Sequence, residues 1–484
     1  VKITRIEINN FRGFPGPATY TFDLAGGKNL LLYGENGSGK SSLYHALDQL
    51  LADDRRKNPA FSDFANLFAK DENNQPIEGG FVTVHLDSDP STLLTWGHDG
   101  PRPNGEIVRD AAMRKGFLEY RSLLKTNFVE GTLEERLFNL AVEVLLARIP
   151  VTLGGTPRAL SEHWRRVRVP PTHHSNRLRQ TASAIDVFNR AFQAVLPRVE
   201  AKATELLEYF TNHHLRLRLT ADDLFYDKGT RSIKNQVLRL SVEFNGQPIS
   251  GHEAILNEAR LSALALALYL ASVILSNPAP GPAAPSPLKL LVLDDVLIGL
   301  DLSNRLPLLD ILDKHFADYQ IILSTFDRVW YDLARLQTEE SGKWVYAELF
   351  SRRLGNPGYD VPVLKAGRPY IQTARAHFAA HDYRAAAVYA RAEFEARLKN
   401  FCEKKGLPVQ YRKESRLTQS DDLWKAVIGT SGGDGACHVD DETRDKVSCL
   451  RKTVLNPLSH ADESSITRAE VEAAIGVVQG LKFV

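Results

Sequence analysis

Residues 30–47 read LLLYGENGSGKSSLYHAL, and the middle of this stretch decides the fold. Gly34-Glu35-Asn36-Gly37-Ser38-Gly39-Lys40-Ser41 satisfies the pattern GxxxxGK[ST] in full. Upstream, Asn29 to Tyr33 is an apolar run that suits a strand. Downstream, Ser42 to Leu51 places Leu43, Leu47, Leu50 and Leu51 on one side of a helix. In a strand–loop–helix setting the glycines let backbone N–H groups close around a phosphate. The helix N-terminus adds its partial positive charge. Asn36, Gly37, Ser38, Gly39, Lys40, Ser41 and Ser42 are therefore the expected nucleotide contacts. Lys40 is placed to reach the β- and γ-phosphates, and the Ser41 hydroxyl to ligand Mg²⁺.

Such a loop needs a second strand to hold the metal and orient water. Leu288 to Val296 reads LKLLVLDDV, apolar enough for a strand buried on both faces of a parallel sheet. Asp294 at its end is the expected metal carboxylate, acting through water, and Asp295 the group that polarises the attacking water. The bland reading of two acids after a strand is a helix N-cap. Gly299-Leu300-Asp301 follows, and Tyr319 to Thr325 (YQIILST) gives a further buried strand.

Composition sets the outer limits. The chain has 484 residues, 43% hydrophobic and 25% charged, which suits a globular protein of two to four domains. A net charge of +1 excludes a global field drawing it onto nucleic acid or anionic lipid, so any such site is local. The three cysteines, Cys402, Cys437 and Cys449, are too few for a disulfide framework, and a reducing cytoplasm is expected. Cys437, His438 and Cys449 lack zinc-site spacing. The opening VKITRIEINNFRGF alternates like a strand and has no signal-peptide layout. Leu261 to Leu275 is the most apolar run, expected as a buried helix and not a membrane span.

About 250 residues separate the glycine loop from the acidic strand, too many for a simple GTPase core. KITRIEINNFRGF, GENGSGKSS, VLDD and GLD together resemble the ABC-type ATPases of the SMC/RecF group. The resemblance implies an α/β head with a mixed sheet and phosphate loop. Its cofactors would be ATP and Mg²⁺. Two heads would form a homodimer or higher homo-oligomer around two nucleotides. It places an N-lobe at 1–150, a helical insertion in place of a coiled coil at 151–235, and a C-lobe at 236–355. It also makes Asp301 the D-loop acid. The signature loop, which caps a phosphate held by the other head, would fall in Gly251 to Leu270, with Asn257 and Glu258 in the capping role. Four departures stand out: the Ser-Gly-Gly signature core is absent, and Asp295 stands where Glu is usual. Phe326 stands where a histidine is usual, and the glutamine loop falls in Phe117 to Phe128 with Tyr120 near the glutamine position. They point to ATP binding with slow turnover, a dimerisation-gated switch and not a processive motor.

The insertion is too short for SMC-type arms, so compact RecF-like heads are the nearer comparison. Ser183 to His213 is expected helical, with Ile185, Phe188, Phe192, Val195, Val199, Leu206 and Tyr209 as its apolar stripe and a kink at Pro197. Arg158 to Arg179, with His163, Trp164, His173 and His174, is the densest basic stretch. It reads equally as a DNA or RNA contact and as a solvated linker. Asn277 to Pro287 is a proline-rich surface loop.

After Leu354 the pattern turns helical and alanine-rich, and 365–484 is expected to form an all-α bundle. HDYRAAAVYARAEFEARL and LNPLSHAD resemble a HEPN domain, a superfamily rich in metal-independent RNases. The usual arginine–histidine spacing is absent, since Arg451 is the nearest arginine before His460. A different trio is available. Arg391 to hold a phosphate, Glu395 to accept a proton and His460 to shuttle it would resemble the plan of ABC-ATPase anticodon nucleases. The bland readings are an ordinary i,i+4 ion pair, a turn histidine and a bundle used for dimerisation or partner binding. The expected function is an ATP-binding switch in a prokaryotic anti-phage defence or stress system. It would control a nuclease effector, either the chain's own helical domain or a partner protein. The alternatives are a RecF-type DNA-repair ATPase with a structural tail, and an RNase toxin restrained by the head.

Overall fold

A computed structural model describes residues 1–52, 59–70, 75–88, 93–119, 133–153, 155, 157–168, 175–210, 215–249, 258–277, 287–300, 302–355, 358–366, 370–410, 420–429, 437–451 and 467–483. The chain divides into two compact units, Val1–Ala366 and Gly367–Val484.

The first unit opens with β1 (Ile3–Phe11) and β2 (Phe14–Asp23), then β3 (Asn29–Gly34) and α1 (Lys40–Leu50). β4 (Phe81–Leu86), β5 (Leu93–Gly97), α2 (Glu106–Arg114) and β6 (Gly116–Glu119) complete its early part. α3 (Leu133–Leu140), β7 (Pro150–Thr152), β8 (Pro157–Ala159), α4 (Leu160–Val167) and α5 (Ser175–Leu207) come next. Then follow β9 (Leu215–Ala221), β10 (Phe225–Asp227), β11 (Ser232–Lys234), β12 (Leu238–Phe244), β13 (Gln247–Ile249) and α6 (Glu258–Ser276). The last part holds β14 (Leu290–Asp294), α7 (Leu302–Arg305), α8 (Pro307–His315), β15 (Gln320–Thr325), α9 (Arg328–Glu339), β16 (Trp344–Gly355) and β17 (Gly358–Ala366).

Two sheets carry the unit. An antiparallel sheet runs β2-β1-β4-β5, and a six-stranded sheet runs β17-β16-β3-β15-β14-β6. The latter is parallel from β16 to β6, with β17 antiparallel at one edge, so it is mixed. Every residue of β14 and β15 is buried, and their apolar centres, Leu290–Leu293 and Ile321–Leu323, suit strands covered on both faces. Period-two alternation sorts the side chains. Leu31, Leu291, Leu293, Ile321 and Leu323 enter one core. Leu30, Leu32, Leu290, Val292 and Ile322 enter the other, which packs against the β1 and β4 residues Ile6, Ile8, Val82 and Val84. The fully buried Gln320 side chain ties the sheets together. Its Oε1 accepts from Ile3 N at 2.7 Å, and its Nε2 donates to Ile3 O at 2.7 Å and Lys28 O at 3.0 Å.

α6 is long and apolar enough to cross a membrane, but 56% of its Ala259–Ser276 window is buried inside the protein. Ala263, Leu266, Ala267 and Leu270 lie in the larger core, so it behaves as the buried helix its composition suggests. The expected helix falls at Ser175–Leu207 as α5, 33 residues and about 50 Å long with Pro197 inside it, starting and ending earlier than Ser183 to His213. Its stripe residues Ile185, Phe188, Phe192, Val195, Val199 and Leu206 are all buried. The 151–235 stretch is also not helical throughout. β9 pairs antiparallel with β12, and β12 with β13, so the 235/236 boundary cuts through a three-stranded sheet. Local periodicity could not show this, because the pairing joins strands separated by the β10–β11 hairpin.

The second unit is helical among the described residues: α10 (Tyr370–Ala379), α11 (Tyr383–Lys405), α12 (Ser420–Val427), α13 (Asp441–Leu450) and α14 (Arg468–Gly480). Asp382 caps α11 by accepting from Ala385 N, and Gly406 ends it in the left-handed conformation at φ 64°. Phe394, Leu398, Trp424, Val447, Val471 and Val478 form its core.

Candidate functional site

The glycine loop leaves β3 at Gly34 and re-enters regular structure at Lys40, the first residue of α1. The turn requires two left-handed glycines, Gly37 at φ 85° and Gly39 at φ 106°. A β-carbon at Gly34 would come within 2.5 Å of Ser38 Oγ, so the loop closes tightly on itself. Lys40 is buried, and its ammonium donates to Gly34 O at 2.7 Å and Glu35 O at 3.2 Å. The Ser38 hydroxyl is fully buried and has no partner among the described residues. Asn36 and Ser41 are exposed, whereas Ser42 Oγ accepts from Gly13 N at 3.1 Å. Ser42 thus joins the helix to the β1–β2 turn.

The acidic strand arrives beside this loop. Lys40 Nζ lies 3.3 Å from Asp295 Oδ2. Asp294 is buried at the end of β14, and its Oδ1 accepts a short hydrogen bond from the Ser324 hydroxyl, its in-register neighbour on β15. Asp295 turns out of the strand at φ 52°, and its Oδ1 is buried with no partner among the described residues. Burial pushes the Asp295 carboxyl up, as does Asp294, while Lys40 draws it down. On the other flank, Glu119 ends β6 in register with Asp294, and His45 Nε2 of α1 stands 3.5 Å from Glu119 Oε2. The sequence reading singled out Tyr120 within Phe117 to Phe128 and not its neighbour Glu119. The strand pairing locates it; the only sequence signal was the acid closing an apolar four-residue run. Tyr120 itself lies outside the described residues.

Around this centre, Phe326 is 38% exposed at the start of the turn after β15, and Asp327 caps α9 by accepting from Trp330 N at 3.0 Å. Glu258 is the first residue of α6, while Asn257 and Asp301 lie outside the described residues. In the basic stretch Arg165, Arg166 and Arg168 are exposed, Arg168 paired with Glu143 at 2.9 Å. Its aromatic partners are not: His163 and Trp164 are buried at 4% and 5% exposure, Trp164 edge-on to Phe138. That removes base stacking by Trp164; His173 and His174 lie outside the described residues. In the helical unit Arg391 Nε donates to Glu395 Oε1 at 2.9 Å on one helix face, and His460 lies outside the described residues.

The loop and acids fit the expected ligands. The closed glycine turn, the Lys40 ammonium and the Ser38 hydroxyl, without a partner among the described residues, suit a polyphosphate. Two carboxylates and the Ser41 hydroxyl suit Mg²⁺, which takes few protein ligands beside phosphate oxygens. No group of three or more metal-binding side chains occurs among the described residues.

Comparison with known proteins adds the lineage. No curated protein matches the chain. Among solved structures it is similar to an SMC head bound to the C-terminal winged-helix domain of ScpA, at 14% identity and TM-score 0.40, covering 76% of this chain and 99% of that one. The SMC head domain of Thermotoga maritima shows 16% identity and TM-score 0.35, with 75% and 99% covered. The recombination mediator RecF with ATP shows 13% identity and TM-score 0.42, with 76% and 98% covered. The model of the RecF/RecN/SMC N-terminal domain family matches residues 2–339. With that span covering most of its length, the chain belongs to the RecF/RecN/SMC N-terminal domain family.

Proposed function

We propose that this chain is an ATP-binding head that works as a slowly turning, dimerising switch. Members of its family are ATP-binding ATPases. The observation that carries the reading is the meeting of Lys40 and Asp295, 3.3 Å apart across more than 250 residues of sequence. It brings the glycine loop and the acidic strand into one site. Lys40, with the amides of Asn36 to Ser41, would hold the β- and γ-phosphates, and Ser42 fixes the loop against Gly13. Ser41 and Asp294 would hold Mg²⁺, which neutralises phosphate charge when bound. Asp295 would take a proton from the attacking water, a role its raised proton affinity suits. Glu258 at the start of α6, with Asn257 and Asp301, would meet a second head.

The switch would act on an effector in a prokaryotic defence or stress system. Arg391, Glu395 and His460 of the helical unit are one such effector; a partner nuclease is the other. Arg165, Arg166 and Arg168 would add a phosphate-backbone contact for DNA or RNA.

Two measurements test this. Calorimetry with Mg-ATP, paired with sedimentation, should show binding and ATP-dependent assembly by wild type. Lys40→Ala should bind more weakly by roughly a hundredfold, the scale of about two charge-assisted hydrogen bonds. A wild-type chain that neither binds ATP nor assembles with it overturns the switch. For the effector, total RNA and tRNA are examined in cells expressing wild type, Lys40→Ala or His460→Ala. Breakage lost in His460→Ala assigns the nuclease to this chain; breakage that persists in it assigns cleavage elsewhere.

A further inference from the structure

The loops that follow β14 and β15 are joined twice. Close to the strands, Asp295 N donates to Ser324 O at 3.3 Å and the Ser324 hydroxyl donates to Asp294. Farther out, the Arg305 side chain spans the gap. Arg305, the last residue of α7, donates from Nε to Leu300 O at 2.5 Å and from Nη1 to Asp327 Oδ2. Asp327 is held from its own side as well: its N donates to Thr325 Oγ1 at 3.1 Å, and its Oδ1 accepts from Trp330 N at 3.0 Å. Burial alone would push its carboxyl up; the Trp330 amide and Arg305 outweigh that and hold it below the usual carboxylate range. The Arg305 side chain is 16% exposed and that of Asp327 30%, so the pair is half-buried and partly screened by water.

The clamp joins the backbone just before Asp301 to the turn that presents Phe326. Gly299 at φ 93° and Asp295 at φ 52° give the first loop its bends. Arg305 adds a side-chain tie to the second loop beyond the Asp295 contacts. The phosphate loop's own bonds, from Lys40 to Gly34, Glu35 and Asp295 and from Gly13 to Ser42, run through neither member of the pair.

We propose that Arg305 and Asp327 are positioning residues that set the two loops at one separation, and that head-to-head assembly depends on them while nucleotide capture does not. The inference rests on the reading of this unit as an ATP-dependent, dimerising head. It adds to that reading a determinant outside the nucleotide contacts.

The test uses the full chain as wild type, Arg305→Gln, Asp327→Asn, Arg305→Lys and the Gln/Asn double variant. Asp327→Asn keeps a side-chain oxygen for the Trp330 cap, which guards against simple misfolding. ATP affinity is measured by calorimetry, ATP-dependent assembly by sedimentation, and kcat and KM separately. Both neutral single variants should bind ATP within about threefold of wild type yet assemble about tenfold more weakly, inside the usual range for one coupled pair. Their kcat at subsaturating protein should fall with assembly, and KM should hold. Arg305→Lys keeps the charge but cannot serve two acceptors in fork geometry, so it should fall between. The double variant should be no worse than either single one. Single variants that assemble like wild type overturn the proposal, as do variants that lose ATP affinity in step with assembly. A wild-type chain that binds ATP but never assembles overturns the dimerising reading itself, and this proposal with it.

Discussion

Lys40 and Asp295 share a buried contact of 3.3 Å, and the lysine divides its three protons between that carboxylate and the carbonyls of Gly34 and Glu35. A phosphate must compete with all three acceptors for the ammonium. Asp295→Asn removes the charged competitor and relieves repulsion between a carboxylate and phosphate. ATP affinity should therefore tighten by a few-fold. Turnover should fall by about a hundredfold or more, the usual scale for losing a general base. Calorimetry and a phosphate-release assay check the two effects separately. Weaker binding in Asp295→Asn would show that the carboxylate supports nucleotide capture instead.

Ser324 gives the second prediction. Its hydroxyl donates to Asp294 Oδ1, and both residues are buried. Ser324→Ala should cost about 1 kcal/mol of stability, the net worth of one hydrogen bond with some excess for the charged acceptor. It should also leave the carboxylate free to turn. The Mg²⁺ concentration needed for half-maximal ATP binding should then rise several-fold, while binding at saturating Mg²⁺ stays near wild type. Titrating Mg²⁺ at fixed ATP checks this.

Much of that centre is legible in the amino-acid order. The apolar runs Leu30–Leu32, Leu290–Leu293 and Ile321–Leu323 mark three buried parallel strands, because strands covered on both faces tolerate such composition. The Lys40 and Asp294 positions follow from local order alone. What stays hidden depends on pairing over long distances. Glu119 enters the site because β6 lies beside β14, and nothing within β6 says so. Trp164 reads as an exposed aromatic among arginines, but it is spaced to fill the core against Phe138 and Phe188. Arg305 and Asp327 are 22 residues apart on different elements, a relationship no periodicity encodes.

The glycines of the loop are not equivalent. Gly37 has φ 85° and open space around a would-be β-carbon, whereas Gly39 has φ 106° with Pro362 at 3.1 Å and Phe14 at 3.3 Å. Gly37→Ala should cost only the left-handed backbone strain, about 1–2 kcal/mol. Gly39→Ala adds tight contacts to which the Pro362 and Phe14 side chains must yield, and it sits at the N-cap of α1. It should abolish ATP binding and lower the melting temperature more than Gly37→Ala. Thermal unfolding of the two variants side by side, with calorimetry, checks the ranking. Equal losses would mean that the loop rearranges to accept both.

The last prediction concerns acid stability. Lys115 is 5% exposed, and its ammonium donates to Asp48 Oδ1 at 2.7 Å and Asp48 O at 2.8 Å, against the Phe117 ring. The pair fastens the end of α1 to the start of β6, the two elements that bring His45 and Glu119 together. Burial would push the Asp48 carboxyl up, but Lys115, with Arg148 and His45, holds it below its usual range. A depressed carboxylate stabilises the fold fully above its unfolded pKa, near pH 4. That contribution is lost as pH falls through the lower folded value. Asp48→Asn should thus cost about 2–3 kcal/mol at pH 7, somewhat under the range for a fully buried pair because Asp48 is one-third exposed. The gap to wild type should stay constant from pH 7 down to about pH 5 and close below about pH 4. Denaturant unfolding across pH 3–7 reads it directly. A gap that persists unchanged at pH 3 would assign the loss to packing and not to the ion pair.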